Sequence, residues 1–151
     1  MTKLQEIDKQ VKLLNDKFKN PMFGISSIYK FSENFNFEHM ESEYIKDEYS
    51  QRDDCWKKPG VYVFLDETGE PIYCGEAARH LWGRVYDYFA KKVNPPFSKM
   101  HSRSSFKEVP FGVILYYLQS DDQLDVGMGY ALEQRLLGTI DFKYNKKGQR
   151  V

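Results

Sequence analysis

GVYVFLDETGEPIYCGEA, residues 60–77, decides the fold. Gly60 to Leu65 is a run of β-branched and aromatic residues, DETGEP carries turn chemistry with Gly69 able to take a positive φ, and PIYCG is a second apolar run. Two such runs around a short polar turn predict an antiparallel hairpin, the second strand ending at Gly75. Downstream, EAARHLWGRVYDYFAKK (residues 76–92) has a helical pattern, with Leu81, Val85 and Phe89 spaced four apart as a buried stripe. Gly83 weakens that helix by about 1 kcal/mol relative to alanine. Arg84 and Tyr88 share one helix face and are expected to point away from the deep core.

Working outward, Pro95-Pro96 breaks a basic loop, FGVILYYLQ (residues 111–119) reads as a third strand, and residues 121–140 read as a helix. That helix has acidic residues in the capping position and an apolar face of Met128, Leu132 and Leu136. Upstream, Leu4, Ile7, Val11, Leu14 and Phe18 make residues 3–19 an amphipathic helix that stops before Asn20-Pro21. The apolar repeat lasts too few heptads for a coiled coil, so packing on its own domain is expected over dimerisation. Residues 21–56 have no clean period beyond an irregular helix near 38–49. The order predicts an α+β fold: a small three-stranded, mostly antiparallel sheet flanked by helices over residues 57–151, preceded by an N-terminal helical or irregular extension over 1–56.

At 151 residues, 41% hydrophobic and 16% aromatic, the chain is too rich in core formers to be disordered, and no apolar run reaches membrane-spanning length. The start lacks a secretory signal pattern, and Cys55 and Cys74 cannot frame a disulfide scaffold, so a reducing cytoplasm is expected. Net charge is zero, but the 22 basic and 22 acidic side chains are unevenly placed. Residues 1–56 hold 8 basic and 11 acidic groups, whereas residues 57–110 hold 9 and 6. Between positions 91 and 107 stand Lys91, Lys92, Lys99, Arg103 and Lys107 with no acid, a stretch that reads either as a solvated loop or as a nucleic-acid surface.

Tyr62, Tyr73, Arg84, Tyr88, Glu133 and Asn145 are the polar groups that the sequence places near one sheet edge. They suit phosphodiester chemistry. A guanidinium holds phosphate oxygens bidentately, a carboxylate such as Glu133 supplies a hard cation with oxygen, and a tyrosine whose pKa is lowered by cations can take a proton from water. Each residue also has an ordinary structural reading: strand tyrosines commonly pack, and Arg84 could simply pair with Asp87 or Glu133. His39 and His80 read as surface residues. No spacing of histidine and cysteine suggests zinc.

Gly60-Val61-Tyr62, ten residues, Tyr73-Cys74-Gly75, then Arg84, Tyr88, Glu133 in ALEQRLL and Asn145 in KYNKKG resembles, as an ordered set, the GIY-YIG nuclease family over residues 59–148. The resemblance implies a metal-dependent endonuclease that cuts DNA phosphodiester bonds with one divalent cation, Mg²⁺ or Mn²⁺. It implies that Tyr62 and Tyr73 sit side by side on adjacent strands, one activating or orienting the attacking water. Arg84 then contacts the scissile phosphate, Tyr88 is a candidate general base, Glu133 is the metal ligand, and Asn145 completes the set. The nucleic-acid surface would be Lys91, Lys92, Lys99, His101, Arg103 and Lys107, with Lys146, Lys147 and Arg150 in the tail. DNA is the expected partner with RNA left open, and residues 1–56 are open to a homodimer or partner-protein role. Two departures stand out: Cys74 replaces isoleucine, and Glu76 stands where several relatives have lysine. The alternative is a nucleic-acid-binding module on the same fold whose catalysis has lapsed.

Overall fold

The computed structural model describes residues 1–32, 54–119 and 127–145. The 38–49 helix, the acidic caps at 121–125, His39 and the tail cations Lys146, Lys147 and Arg150 lie outside the described residues. In chain order, the elements begin with helix α1 (Lys3–Asn15), strands β1 (Phe23–Ile25) and β2 (Tyr29–Lys30), and a 3₁₀ turn (Asp54–Lys57). The hairpin β3 (Gly60–Leu65) and β4 (Pro71–Ala77) comes next, then helix α2 (Leu81–Tyr86), strand β5 (Gly112–Leu118) and helix α3 (Gly127–Thr139).

The fold is α+β as expected, but its antiparallel sheet has five strands where the sequence predicts three. The sheet order is β1-β5-β3-β4, with β2 also pairing to β5. Both extra strands come from the amino-terminal segment and lie along the outer edge of β5, Phe23 opposite Leu118 and Tyr29 opposite Val113. At three and two residues they are too short to show an alternation, which is why the sequence hides them. Ser26 bridges the gap between them: its backbone N–H donates to Leu115 O and its Oγ accepts from Leu115 N–H, each at 2.9 Å.

The central strands are buried on both faces, so they read as continuous apolar runs. Their alternation divides the core in two. Val61, Val63, Leu65, Ile114 and Tyr116 pack against Ile7, Val11 and Leu14 of α1 and Leu132 and Leu136 of α3. Tyr62, Phe64, Val113 and Leu115 face the other way, against α2 and the long segment after it, through Leu81, Val85, Phe89, Met100 and Phe106. Burying each such aliphatic or aromatic side chain contributes on the order of 1.5–3 kcal/mol. Cys74 belongs to the α1/α3 side and is buried.

Three local outcomes differ from the sequence reading. Helix α1 stops at Asn15 rather than near residue 19, because the Asn15 side chain turns to bond the Phe23 backbone, accepting from its N–H at 2.8 Å and donating to its C=O at 3.0 Å. Strand β4 continues past Gly75 to Ala77, so the following helix is a six-residue segment and not a seventeen-residue one. Beyond it the chain tightens, with Tyr88 N–H bonding Val85 O at 3.2 Å and Phe89 N–H bonding Tyr86 O at 3.0 Å. That tightening turns Tyr88 inward. It is buried, while Arg84 one turn earlier is exposed.

Candidate active site

The register of the hairpin builds the site. Tyr62 lies opposite Gly75 and Phe64 opposite Tyr73, so both tyrosines project from the same sheet face on adjacent strands, offset by one pair. Gly75 is required for this. A Cβ there would occupy the space of the Tyr62 ring, whose hydroxyl end crosses over the Gly75 backbone. The ring planes of Tyr62 and Tyr73 are 30° apart.

Tyr88 enters from the turn after α2 and closes a chain of three hydroxyls. Its Oη lies 2.8 Å from Tyr62 Oη, and its O–H donates to Tyr73 Oη at 3.1 Å. A phenol carries one proton, so with Tyr88 donating to Tyr73 it is Tyr62 that donates to Tyr88. The order of donation runs from the buried Tyr62 outward to the half-buried Tyr73. Burial above all raises the phenol pKa of Tyr62 and Tyr88, and Arg84 only partly opposes it, so both are neutral near pH 7. The Arg84 guanidinium sits 6.0 Å from the Tyr88 ring centre, and the tyrosines, Tyr62 foremost, strengthen its hold on its proton. Asp87, an alternative partner for Arg84, pairs with Lys91 at 3.6 Å.

In front of Tyr73 and Arg84 is a groove of about 570 Å³, its other walls formed by Tyr88, Lys91, His101, Arg103, Ser104 and Ser105 with one acid, Asp87. The basic segment is folded onto the site by its own backbone bonds, His101 N–H to Tyr88 O at 2.8 Å and Ala90 N–H to Lys99 O at 2.9 Å. Of the cations expected to face nucleic acid, Lys91, His101 and Arg103 line this groove. Lys92 and Lys99 are exposed on the same segment outside its walls. Lys107 is spent on the loop itself, its ammonium donating to the carbonyls of Ser102 at 2.7 Å, Ser104 at 3.2 Å and His101 at 3.4 Å.

Glu133 is a buried carboxylate on α3, 7% exposed. One turn before it, Gly129 faces the Glu76 side chain, whose Cγ lies 3.5 Å from where a Cβ would be, an ordinary contact distance. Glu76 projects from the end of β4 and connects the two halves electrostatically. Burial first and the Glu133 carboxylate second raise its pKa, while Arg84 pulls it down. Glu76 and Glu133 carry the oxygen donors that a hard divalent cation takes, commonly one or two carboxylates with the shell completed by water and phosphate oxygens; neither lines the groove in front of Tyr73 and Arg84. Among the described residues, no cluster of three or more acidic, histidine or cysteine side chains forms a full metal cage. Asn145 lies along the outer edge of β4 rather than in the groove: its side-chain amide brackets Cys74, accepting from its N–H at 2.8 Å and donating to its C=O at 3.0 Å.

Sequence reasoning registered Glu76 only as a lost positive charge, because the approach of Glu133 depends on how α3 lies across β4. His80, expected at the surface, is half-buried and stacks on Trp82, centroids 4.6 Å apart, and nothing in the local pattern signals that stacking.

No family model and no solved structure matches the chain. Among the described residues, no helix is long and apolar enough to cross a membrane. Local similarity exists to UvrABC system protein C of Petrotoga mobilis, 56% identical over 24% of this chain, and to that of Methanococcus maripaludis, 29% identical over 61% of it. The protein of the same name from Mycoplasma genitalium is 34% identical over 38% of this chain. The matched stretches span 6%, 15% and 9% of those relatives' own lengths.

Proposed function

We propose that this chain is a metal-dependent endonuclease that hydrolyses DNA phosphodiester bonds in the groove in front of Tyr73 and Arg84. The observation that carries the reading is the ordered hydroxyl chain Tyr62, Tyr88, Tyr73, flanked by the Arg84 guanidinium and opening into a groove with basic walls. The local similarity to UvrABC system protein C supports a nuclease of the GIY-YIG kind in general.

In this reading Arg84 holds the non-bridging oxygens of the scissile phosphate and stabilises the charge that grows on them. Tyr73, alone of the three tyrosines in being half open to the groove, holds the attacking water. Tyr62 and Tyr88, kept neutral by burial, fix the Tyr73 hydroxyl by donating toward it, which makes Tyr88 a positioning residue more than a base. Glu133, with Glu76 beside it, would hold one Mg²⁺ or Mn²⁺, whose contribution is Lewis-acid neutralisation of phosphoryl charge. Lys91, His101 and Arg103 bind the flanking backbone. Asn145 keeps β4, and so Tyr73, in register.

The test is conversion of supercoiled plasmid to nicked or linear forms in Mg²⁺, Mn²⁺ or EDTA, by wild type, Glu133→Ala and Arg84→Ala. Metal-dependent cutting should be lost in both variants, while Glu133→Ala still binds DNA. Cutting that survives in Glu133→Ala would overturn the metal assignment. Binding without cutting by the wild type, on plasmid, branched DNA and RNA alike, would instead identify a binding module.

A further inference from the structure

A second groove of about 720 Å³ lies on the far side of Arg84. Its aromatic wall is His80, Trp82 and Tyr86, and its cations are Arg79, Arg84 and Lys91. His80 and Trp82 stack nearly parallel, 7° between planes, an arrangement that needs Gly83, since a Cβ there would meet the His80 ring. Lys91 Nζ sits 4.6 Å from the Tyr86 ring centre. Arg84, Asp87 and Lys91 border both grooves, so a strand with a phosphate on Arg84 has a continuous path from one into the other.

We propose that this second groove takes one unstacked nucleobase of the strand being cut, next to the phosphate on Arg84, by stacking it against the His80–Trp82 pair. The inference rests on the nuclease reading and specifies its substrate class. Aromatic faces bind any base through its π face, and cations on the rim suit the phosphates on either side. A base within a duplex is already stacked and paired, and leaving costs a few kcal/mol, least where it is mismatched or single-stranded. The preferred substrate is therefore DNA with an unpaired or weakly paired nucleotide at the cut, such as a single strand, a mismatch or a junction.

Binding of one fluorescent oligonucleotide, single-stranded or annealed to its complement, is measured in EDTA for wild type, Trp82→Ala, Trp82→Phe and Arg84→Ala. Trp82→Ala should weaken the single strand about tenfold and leave the duplex unchanged. Trp82→Phe, which keeps an aromatic face, should regain most of the loss, and it answers the question if the alanine variant fails to fold. Equal loss on both ligands, or no loss on either, overturns the base groove. If that happens while Arg84→Ala weakens binding and the wild type still cuts, the nuclease reading survives alone. If Arg84→Ala binds both ligands as the wild type does and nothing cuts, the phosphate site has failed and the base groove with it.

Discussion

At the scale of single residues, the site depends on which hydroxyl meets the groove. Tyr73 is half-buried at the outer end of the donor chain, whereas Tyr62 and Tyr88 are buried within it. Tyr73→Phe keeps the ring packing against Phe106 and removes only the water-facing oxygen. Its expected cost is about 10²-fold or more in kcat, the usual size for a positioned proton-transfer or orienting group, with the melting temperature little changed. A fall in kcat of less than threefold would place the attacking water elsewhere. Glu76 makes the second prediction. Its carboxyl is raised above 4.5 in the folded chain, by burial first, so folding favours its protonated form. That stabilisation is complete at low pH and is lost as pH climbs through the raised folded value, because the folded state there has to hold an ionised carboxylate beside Glu133. Glu76→Gln should therefore raise the melting temperature at pH 7 in metal-free buffer and flatten its decline above pH 4.5, read by thermal melts across pH. The meeting of the three tyrosines with Arg84 is legible in the sequence because an ordered motif names them. The surroundings of Glu76 are not, because they come from a helix laid across it and from no neighbour in the chain.

At the scale of elements, two asparagines do the same work at opposite ends of the chain. Asn15 brackets the backbone of Phe23 and starts β1, while Asn145 brackets Cys74 on the outer edge of β4. The second clamp lies one residue from Tyr73, and Tyr144 N–H adds a bond to Ile72 O at 3.0 Å on the same edge. Asn145→Ala leaves the Cys74 amide and carbonyl short of partners, at an expected cost of about 1–3 kcal/mol. It should also lower kcat by loosening β4, with nucleic-acid affinity kept. Lost affinity at full stability would instead mean that Asn145 contacts the ligand. The sequence reads β3, β4, β5 and α3 well, since long apolar runs and a 3.6-residue period are strong local signals. It overextends α1 and α2, because what bounds them is not in their own period: the Asn15 clamp ends α1, and α2 is bounded by the continuation of β4 to Ala77 before it and the tightened turn at Tyr88 and Phe89 after it. The edge strands β1 and β2 are set by pairing to β5 and leave almost no pattern of their own.

At the scale of the molecule, the two faces of the sheet are covered differently. The tyrosine face carries both grooves, and the opposite face carries the packing of α1 and of α3, the helix that holds Glu133. Helix α1 is part of that packing: Ile7 and Val11 are fully buried, Asp8 accepts from Tyr116 O–H at 3.0 Å, and Gln10 Oε1 accepts from Arg135 at 2.8 Å. The expectation that this helix packs on its own domain is met through Ile7, Val11 and Leu14, while Leu13 and Phe18 stay exposed. The buried side chains on the two faces alternate along the same strands, so a change on one face reaches the other only through the shared backbone. Ile7→Ala empties a core site one sheet away from Tyr62, at an expected cost of about 2–5 kcal/mol of folding free energy. Because domains of this size are stable by only about 5–15 kcal/mol, that is a large share of the total, and the midpoint of denaturant unfolding should fall clearly. Cutting per folded molecule, measured at low temperature where the variant remains folded, should stay at the wild-type rate. A matching fall in kcat with the fold intact would show that the core shared by α1 and α3, the helix that holds Glu133, also sets the geometry of the site.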